Sequence, residues 1–295
     1  MSGGNPRHGG LALGLVAKFF AEIRTKMPAS VKRRVPRFIK RLVIVVSFSR
    51  YARRRPSATL AYLAKGRELA NFTYEIANRE SLVMAIAEAM GTDPARVSNL
   101  IAELENDQEL ARLLANRLTS RRDREHAAHY GRRLGWYAMV RLTMPRVVVE
   151  TGVHDGLGSS VLLRALEANA HEGTDGFLYG FDIDPSTGWL IPTELRSRFI
   201  LSIGDSVDLL PKVMAETEID VFIHDSEHTY AHEMSEYETC TAIFSANALL
   251  VSDNAHAEPA LEDFSRQHGR RFHFWREQSK GHFYPGAGIG ISIRA

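Results

Sequence analysis

The chain has 295 residues, 44% of them hydrophobic and 24% charged, enough to bury one full α/β core and leave a sizeable further segment. Its single cysteine, Cys240, excludes an internal disulfide framework and a cysteine-built zinc site. The net charge of +2 conceals a division: residues 1–56 hold 14 Lys and Arg against one acid, Glu22, whereas the remainder holds 34 acids against 23 bases.

The basic segment, residues 1–56, is punctuated by Pro28, Pro36 and Pro56, and helical spacing of apolar and basic residues predicts a helix over 11–26. Its apolar runs fall short of the ~20 residues that cross a bilayer. The first run also lacks the charged start and small-residue cleavage site of a signal peptide. We therefore expect a retained segment on a cytoplasmic protein. So many bases suit an anionic surface, and peripheral contact with anionic membrane is expected, with Leu13, Phe19 and Phe20 inserting. Packing against the chain's own acidic body is the alternative. Nucleic acid is disfavoured, because aromatic platforms are sparse among the bases.

Residues 57–144 read as a helical cap region. The pattern over 81–90 is a helix ended by Gly91, and Asp93-Pro94 supplies an N-cap followed by proline at the first helical position. Further helices are predicted over 107–118 and 124–142, the last stopping before Pro145.

From Arg146 the period changes. Short β-branched runs at 146–150, 177–182, 199–203, 220–224 and 248–252 are separated mostly by helical stretches, and two more strands follow at 272–275 and 288–293. Buried strands alternating with helices predict a doubly wound, mostly parallel sheet of Rossmann-like type. The final pair should be antiparallel, making seven strands preceded by a helical region.

Two sets of residues carry chemistry. After the first strand comes Glu150-Thr-Gly152-Val-His-Asp155-Gly156-Leu-Gly158-Ser159, a glycine turn opening a helix. Its spacing, G-x-x-x-G-x-G, differs from the dinucleotide fingerprint. Carboxylates here would repel pyrophosphate, by roughly 4 kcal/mol for like charges 4 Å apart at an effective dielectric of 20. They would attract the ammonium and sulfonium of S-adenosylmethionine. Asp182, with Asp184 second, ends the next strand where ribose hydroxyls would lie, and Asp205 and Ser206 follow the third strand beside the expected adenine.

The second set ends strands four and five. Asp225, Asp253 and Asn254 would offer oxygens to one point at the switch of the sheet, suiting Mg2+. His228, three residues after Asp225, would share its face if a helix has begun, and an imidazole is suited to taking a hydroxyl proton. His224, His232 and His256 are nearby alternatives.

Taken in order, Glu150-Thr-Gly152, Gly180-Phe-Asp182, Gly204-Asp-Ser206, Asp225-Ser-Glu-His228-Thr-Tyr230 and Asp253-Asn254 resemble the class I S-adenosylmethionine-dependent methyltransferases of the catechol and macrocin O-methyltransferase type, over residues 146–295. The resemblance implies a metal held by Asp225, Asp253 and Asn254, and a base at His228. It also implies an acceptor hydroxyl on a sugar, glycoconjugate or other small molecule. The turn departs from the family pattern at Val153, His154 and Asp155, and the glycine common before the fifth strand is missing. Residues 145–295 are thus read as a methyltransferase domain using S-adenosylmethionine and Mg2+, with a homo-oligomeric state left open. The alternatives are a metal-independent O- or N-methyltransferase and a non-catalytic methyltransferase-like fold tethered by its basic segment.

Overall fold

The computed structural model describes residues 37–65, 74–119, 128–284 and 286–295. They form two compact units. The smaller unit contains α1 (Arg37–Ser47), α2 (Ser49–Ala52), α3 (Pro56–Lys65) and residues 281–284. Its core is Ala52, Tyr62 and Phe283, with Ile44, Val45 and Phe48 packed against them. The helix predicted over 11–26, with Leu13, Phe19 and Phe20, lies outside the described residues.

The larger unit begins with four helices: α4 (Arg79–Met90), α5 (Pro94–Glu105), α6 (Gln108–Thr119) and α7 (Arg133–Thr143). Local chemistry sets their ends. Gly91 stops α4 in the left-handed conformation, and Asp93 caps α5 by accepting from the Ala95 amide at 2.8 Å, with Pro94 at the first helical position. The helix predicted over 124–142 is shorter at its start, because Gly131 adopts φ +55° and breaks the helical path, leaving Arg132 as the cap residue.

A seven-stranded sheet follows, with the strands in the order β3-β2-β1-β4-β5-β7-β6. These are β1 (Val147–Thr151), β2 (Phe177–Asp182), β3 (Phe199–Ile203), β4 (Ile219–His224), β5 (Phe244–Asp253), β6 (Arg270–Arg276) and β7 (Gly288–Arg294). The first five are parallel to one another, while β7 runs antiparallel to β5 and to β6, lying between them. The expected antiparallel end pair is present, with β6 as the edge. Strand β5 starts earlier than the apolar run 248–252 suggested, since Phe244 already pairs with Ile219, and the register shifts before Leu249 meets Val221. Helices α8 (Leu157–His171), α9 (Ser206–Val213), α10 (Tyr230–Cys240) and α11 (Ala260–Gln267) connect the strands.

Period-two alternation divides the strand residues between two cores. Val148, Leu178, Val221 and Leu249 pack with α4–α8 on one face; Val149, Phe222 and Leu250 pack with Tyr237 and Phe264 on the other. Burying each large apolar side chain stabilises by ~1.5–3 kcal/mol. The parallel register aligns the C-terminal ends of the strands, pairing Thr151 with His224 and Asp182 with Ile203. Those ends carry the candidate site. No described helix is long and apolar enough to cross a membrane.

Candidate active site

The glycine turn closes tightly on the next strand. Gly152 has φ +83°, and a Cβ there would lie 2.1 Å from the Asp225 carbonyl oxygen. Its amide donates to the Phe181 carbonyl at 2.8 Å, as the Asp225 amide does to Thr151 at 2.9 Å. The glycine turn and the Asp225 loop therefore touch through their backbones. A Cβ on Gly156 would run into Ile191 at 2.5 Å, and one on Gly158 would lie 2.4 Å from Glu150 Oε1. These glycines are required by the protein's own packing before any ligand is considered.

Glu150 is 1% exposed, and its Oε2 accepts from the Ser159 hydroxyl. Burial pushes its carboxyl up to about 8. Ser159 thus holds Glu150 in place. Asp182 accepts from the His154 amide at 2.7 Å, the Asp184 amide at 2.9 Å and the Thr187 hydroxyl at 3.0 Å, so it pins the glycine turn to the end of β2. A carboxylate has about four acceptor positions, which leaves capacity for a further donor. Asp184 is exposed and accepts from Ser186 instead. Asp205 caps α9 through the Val207 amide at 2.9 Å. The Ser206 hydroxyl turns inward and donates to Glu236.

The second set also converges. Asp225, His228 and Asp253 place ligand atoms all within 4.8 Å of one another. His228 is not on a helix, because α10 begins at Tyr230 and Thr229 is its cap. It reaches Asp225 from the connecting loop, with Nε2 at 3.6 Å from Oδ1, and Asn254 Nδ2 lies 2.8 Å from the same Nε2. Burial pushes the imidazole down to about 4, so it is neutral at pH 7. Burial and the facing Asp253 charge raise the Asp225 carboxyl well above the usual carboxylate range. Two facing acids with a neutral imidazole beside them form a donor set of the kind that a divalent cation takes.

Arginines that the sequence reading passed over enter this cluster. Arg132, 3% exposed, donates through Nε and Nη2 to both oxygens of Asp253. Burial alone would raise the Asp253 carboxyl, but Arg132 holds it well below its ordinary range. Arg133 places Nη2 3.5 Å from Asp225 and its guanidinium 5.2 Å from the centre of the Trp136 ring. The available signal was Arg132-Arg133 at the start of a helix whose next residues are almost all apolar. Cations on such a helix are buried, and buried cations need acids.

A buried network beneath the strand ends was also unforeseen. Glu236 is fully buried and accepts from Thr151 at 2.9 Å, Ser226 at 2.8 Å and Ser206, with His224 Nδ1 at 2.7 Å and His232 Nε2 at 3.1 Å. Burial would raise its carboxyl, but the two imidazoles pull it far down. It ties β1, β4, α9 and α10 together at the level of the site.

Residues 149–255 match the family described as a methyltransferase domain. Among solved structures, the cofactor-bound Rv0187 from MTB superposes with a TM-score of 0.52 at 15% identity, over 66% of this chain and 94% of its own. A candidate O-methyltransferase from Klebsiella pneumoniae gives 0.50 at 15% identity, over 64% and 91%. The O-methyltransferase TomG from Streptomyces achromogenes, in complex with SAM, gives 0.47 at 18%, over 64% and 91%. None of the curated proteins matches the sequence. The strand order with its antiparallel seventh strand, the acid-bearing glycine turn after β1 and the domain match agree: the chain carries a class I S-adenosylmethionine-dependent methyltransferase domain of the family 24 type.

Proposed function

We propose that the chain transfers a methyl group to a hydroxyl of a small molecule, with a sugar or glycoconjugate as the preferred acceptor class and with assistance from a divalent metal. One observation carries this reading: Gly152 of the donor turn lies against the backbone of Asp225, which stands in the acid and histidine cluster. Groups suited to a cationic donor and groups suited to an ionising hydroxyl thereby lie side by side at the strand ends.

Glu150 and Asp155 meet the positive charges of the donor, and Asp182 accepts from the ribose hydroxyls. Asp205 and Ser206 lie at the expected adenine side. Asp225 and Asp253, with Asn254 beside them, would hold Mg2+, which supplies a Lewis-acidic centre that favours ionisation of the acceptor hydroxyl. His228 stands beside Asp225 and takes the acceptor proton. Helices α4–α7 wall one side of this unit and form part of the acceptor pocket. Fixing the acceptor oxygen in line with the donor methyl can supply ~7–11 kcal/mol of rate acceleration.

Titration of the full chain with S-adenosylmethionine tests the donor half; absence of heat at millimolar donor would refute it. Turnover of a hydroxyl acceptor panel with and without EDTA tests the metal half. Chelator-insensitive turnover would favour the metal-independent alternative.

For residues 1–56 we propose peripheral contact with anionic lipid. Within the described part, Phe38, Ile39 and Leu42 are exposed on α1, and Arg50, Arg53, Arg54 and Arg55 are exposed nearby in sequence. Flotation with phosphatidylglycerol vesicles should require this segment; equal flotation after its deletion would refute the contact.

A further inference from the structure

Glu277, just past the end of β6, is a fully buried carboxylate of which only one oxygen is used. Its Oε1 accepts from the Tyr74 hydroxyl and, at 2.5 Å, from the Ala287 amide, and Arg132 Nη1 reaches it at 3.4 Å. Its Oε2 is buried and has no hydrogen-bond partner among the described residues. A carboxylate has about four acceptor positions, and leaving an oxygen unmet in the interior is unfavourable. Gly286 packs so closely here that a Cβ on it would lie 2.2 Å from the Glu277 carbonyl oxygen. Glu277 is thus fixed in place with an acceptor to spare.

Arg132 stands between two acids and divides its grip unequally. Nε and Nη2 engage both oxygens of Asp253, whereas Nη1 makes only the long contact with Glu277. Asp253 is also a member of the cluster with Asp225 and His228. A divalent cation in that cluster competes with the guanidinium for the same two oxygens, and cations so close repel one another. A buried guanidinium that gives up one acid needs a second, because an unpaired charge in the interior is strongly destabilising. The unmet oxygen of Glu277 is that second acid, on a side chain that Nη1 already reaches.

We propose that Arg132 exchanges partners when the cluster takes a divalent cation, releasing Asp253 and pairing with Glu277. This rests on the metal reading above. Glu277 is then a positioning residue: it does not touch the ion, and it sets the ion's affinity by receiving Arg132.

The test is titration of the full chain with Mn2+, with free ion counted by electron paramagnetic resonance, in a double-mutant cycle. Glu277→Gln keeps the shape and an acceptor for Tyr74 and Ala287 but removes the charge. It should weaken Mn2+ binding by about 10- to 100-fold, the scale of a hydrogen bond to a charged group. Arg132→Gln should bind Mn2+ more tightly than the wild type, and adding Glu277→Gln to it should change the affinity no further. Unchanged Mn2+ affinity in Glu277→Gln overturns the proposal. So does an equal loss in both backgrounds, which marks a charge acting through space or a structural role. Should Arg132→Gln not fold, the Nε–H resonance of Arg132 in the wild type decides: saturating Mg2+ should move it, and an unmoved resonance overturns the exchange. If the wild type binds no Mn2+, the metal reading itself has failed and the exchange with it, an outcome distinct from a Glu277→Gln variant that binds as the wild type does.

Discussion

The guanidinium of Arg132 grips both carboxylate oxygens of Asp253 at the end of β5, and neither side chain is more than 3% exposed. A cation of the protein thus already neutralises one of the two acids proposed to hold a metal. Asp225 and Asp253 face one another beside His228, so the cluster's charge balance depends on Arg132 whenever no metal is bound.

Replacing Arg132 with glutamine should therefore destabilise the metal-free protein by about 3–5 kcal/mol, the usual cost of breaking a buried pair. Millimolar Mg2+ or Mn2+ should recover more stability in Arg132→Gln than in the wild type. Thermal unfolding with and without metal measures both effects. A variant that loses stability but gains none from either ion would count against the metal site.

Gly152→Ala sets a Cβ 2.1 Å from the Asp225 carbonyl, at a φ of +83°. Strain and overpacking together should cost about 2–4 kcal/mol. The denaturant midpoint should fall at unchanged m, and donor affinity should fall with it. A fully stable variant would mean that the turn and the Asp225 loop are not in contact.

Glu150 titrates at about 8 in the folded protein against an ordinary 4.5, because burial disfavours its charge. Between those values the folded state keeps a proton that the unfolded state releases, so this group's contribution to stability falls as pH rises across the window. Glu150→Gln should flatten that slope and be more stable than the wild type at pH 9, while binding the donor more weakly. Denaturation profiles from pH 5 to 9 decide; an unchanged slope would place the carboxylate in water.

Glu236 behaves oppositely. Its carboxyl is depressed below 4.5, whereas His224 and His232 are raised above 6.5; burial works against the charged form of His224 but Glu236 outweighs it, and the bond to Glu236 leads at His232. The carboxylate's contribution is present above pH 4.5 and lost on acidification. The imidazoles' contribution is complete below pH 6.5 and lost as pH climbs through their raised values. Glu236→Gln should cost the most, about 3–5 kcal/mol, between those limits and less at pH 9. Equal losses at pH 5.5 and pH 9 would show that the imidazoles are uncharged in the folded protein.

Much of this molecule was legible in one dimension because the relevant forces are local. Left-handed Gly91, the Asp93 cap and the β-branched runs each act within a few residues, so helices α4 and α5 and all seven strands could be read directly. The acids at strand ends were legible too: a parallel sheet brings those ends together, as it does Asp225 and Asp253. The condition attached to His228, that a helix has begun, is not met, since Thr229 acts as the cap and α10 starts at Tyr230.

The winding of the sheet and the acidic character of its strand ends are encoded locally, since both follow from periodicity and from charges placed at predictable positions. How those charges are compensated emerges only on folding. Arg132 lies 121 residues from Asp253, and Glu236 lies 85 from Thr151. Electrostatic pairing depends on distance in space and on exclusion of water, and neither can be read from the order of residues until the helices have packed on the sheet.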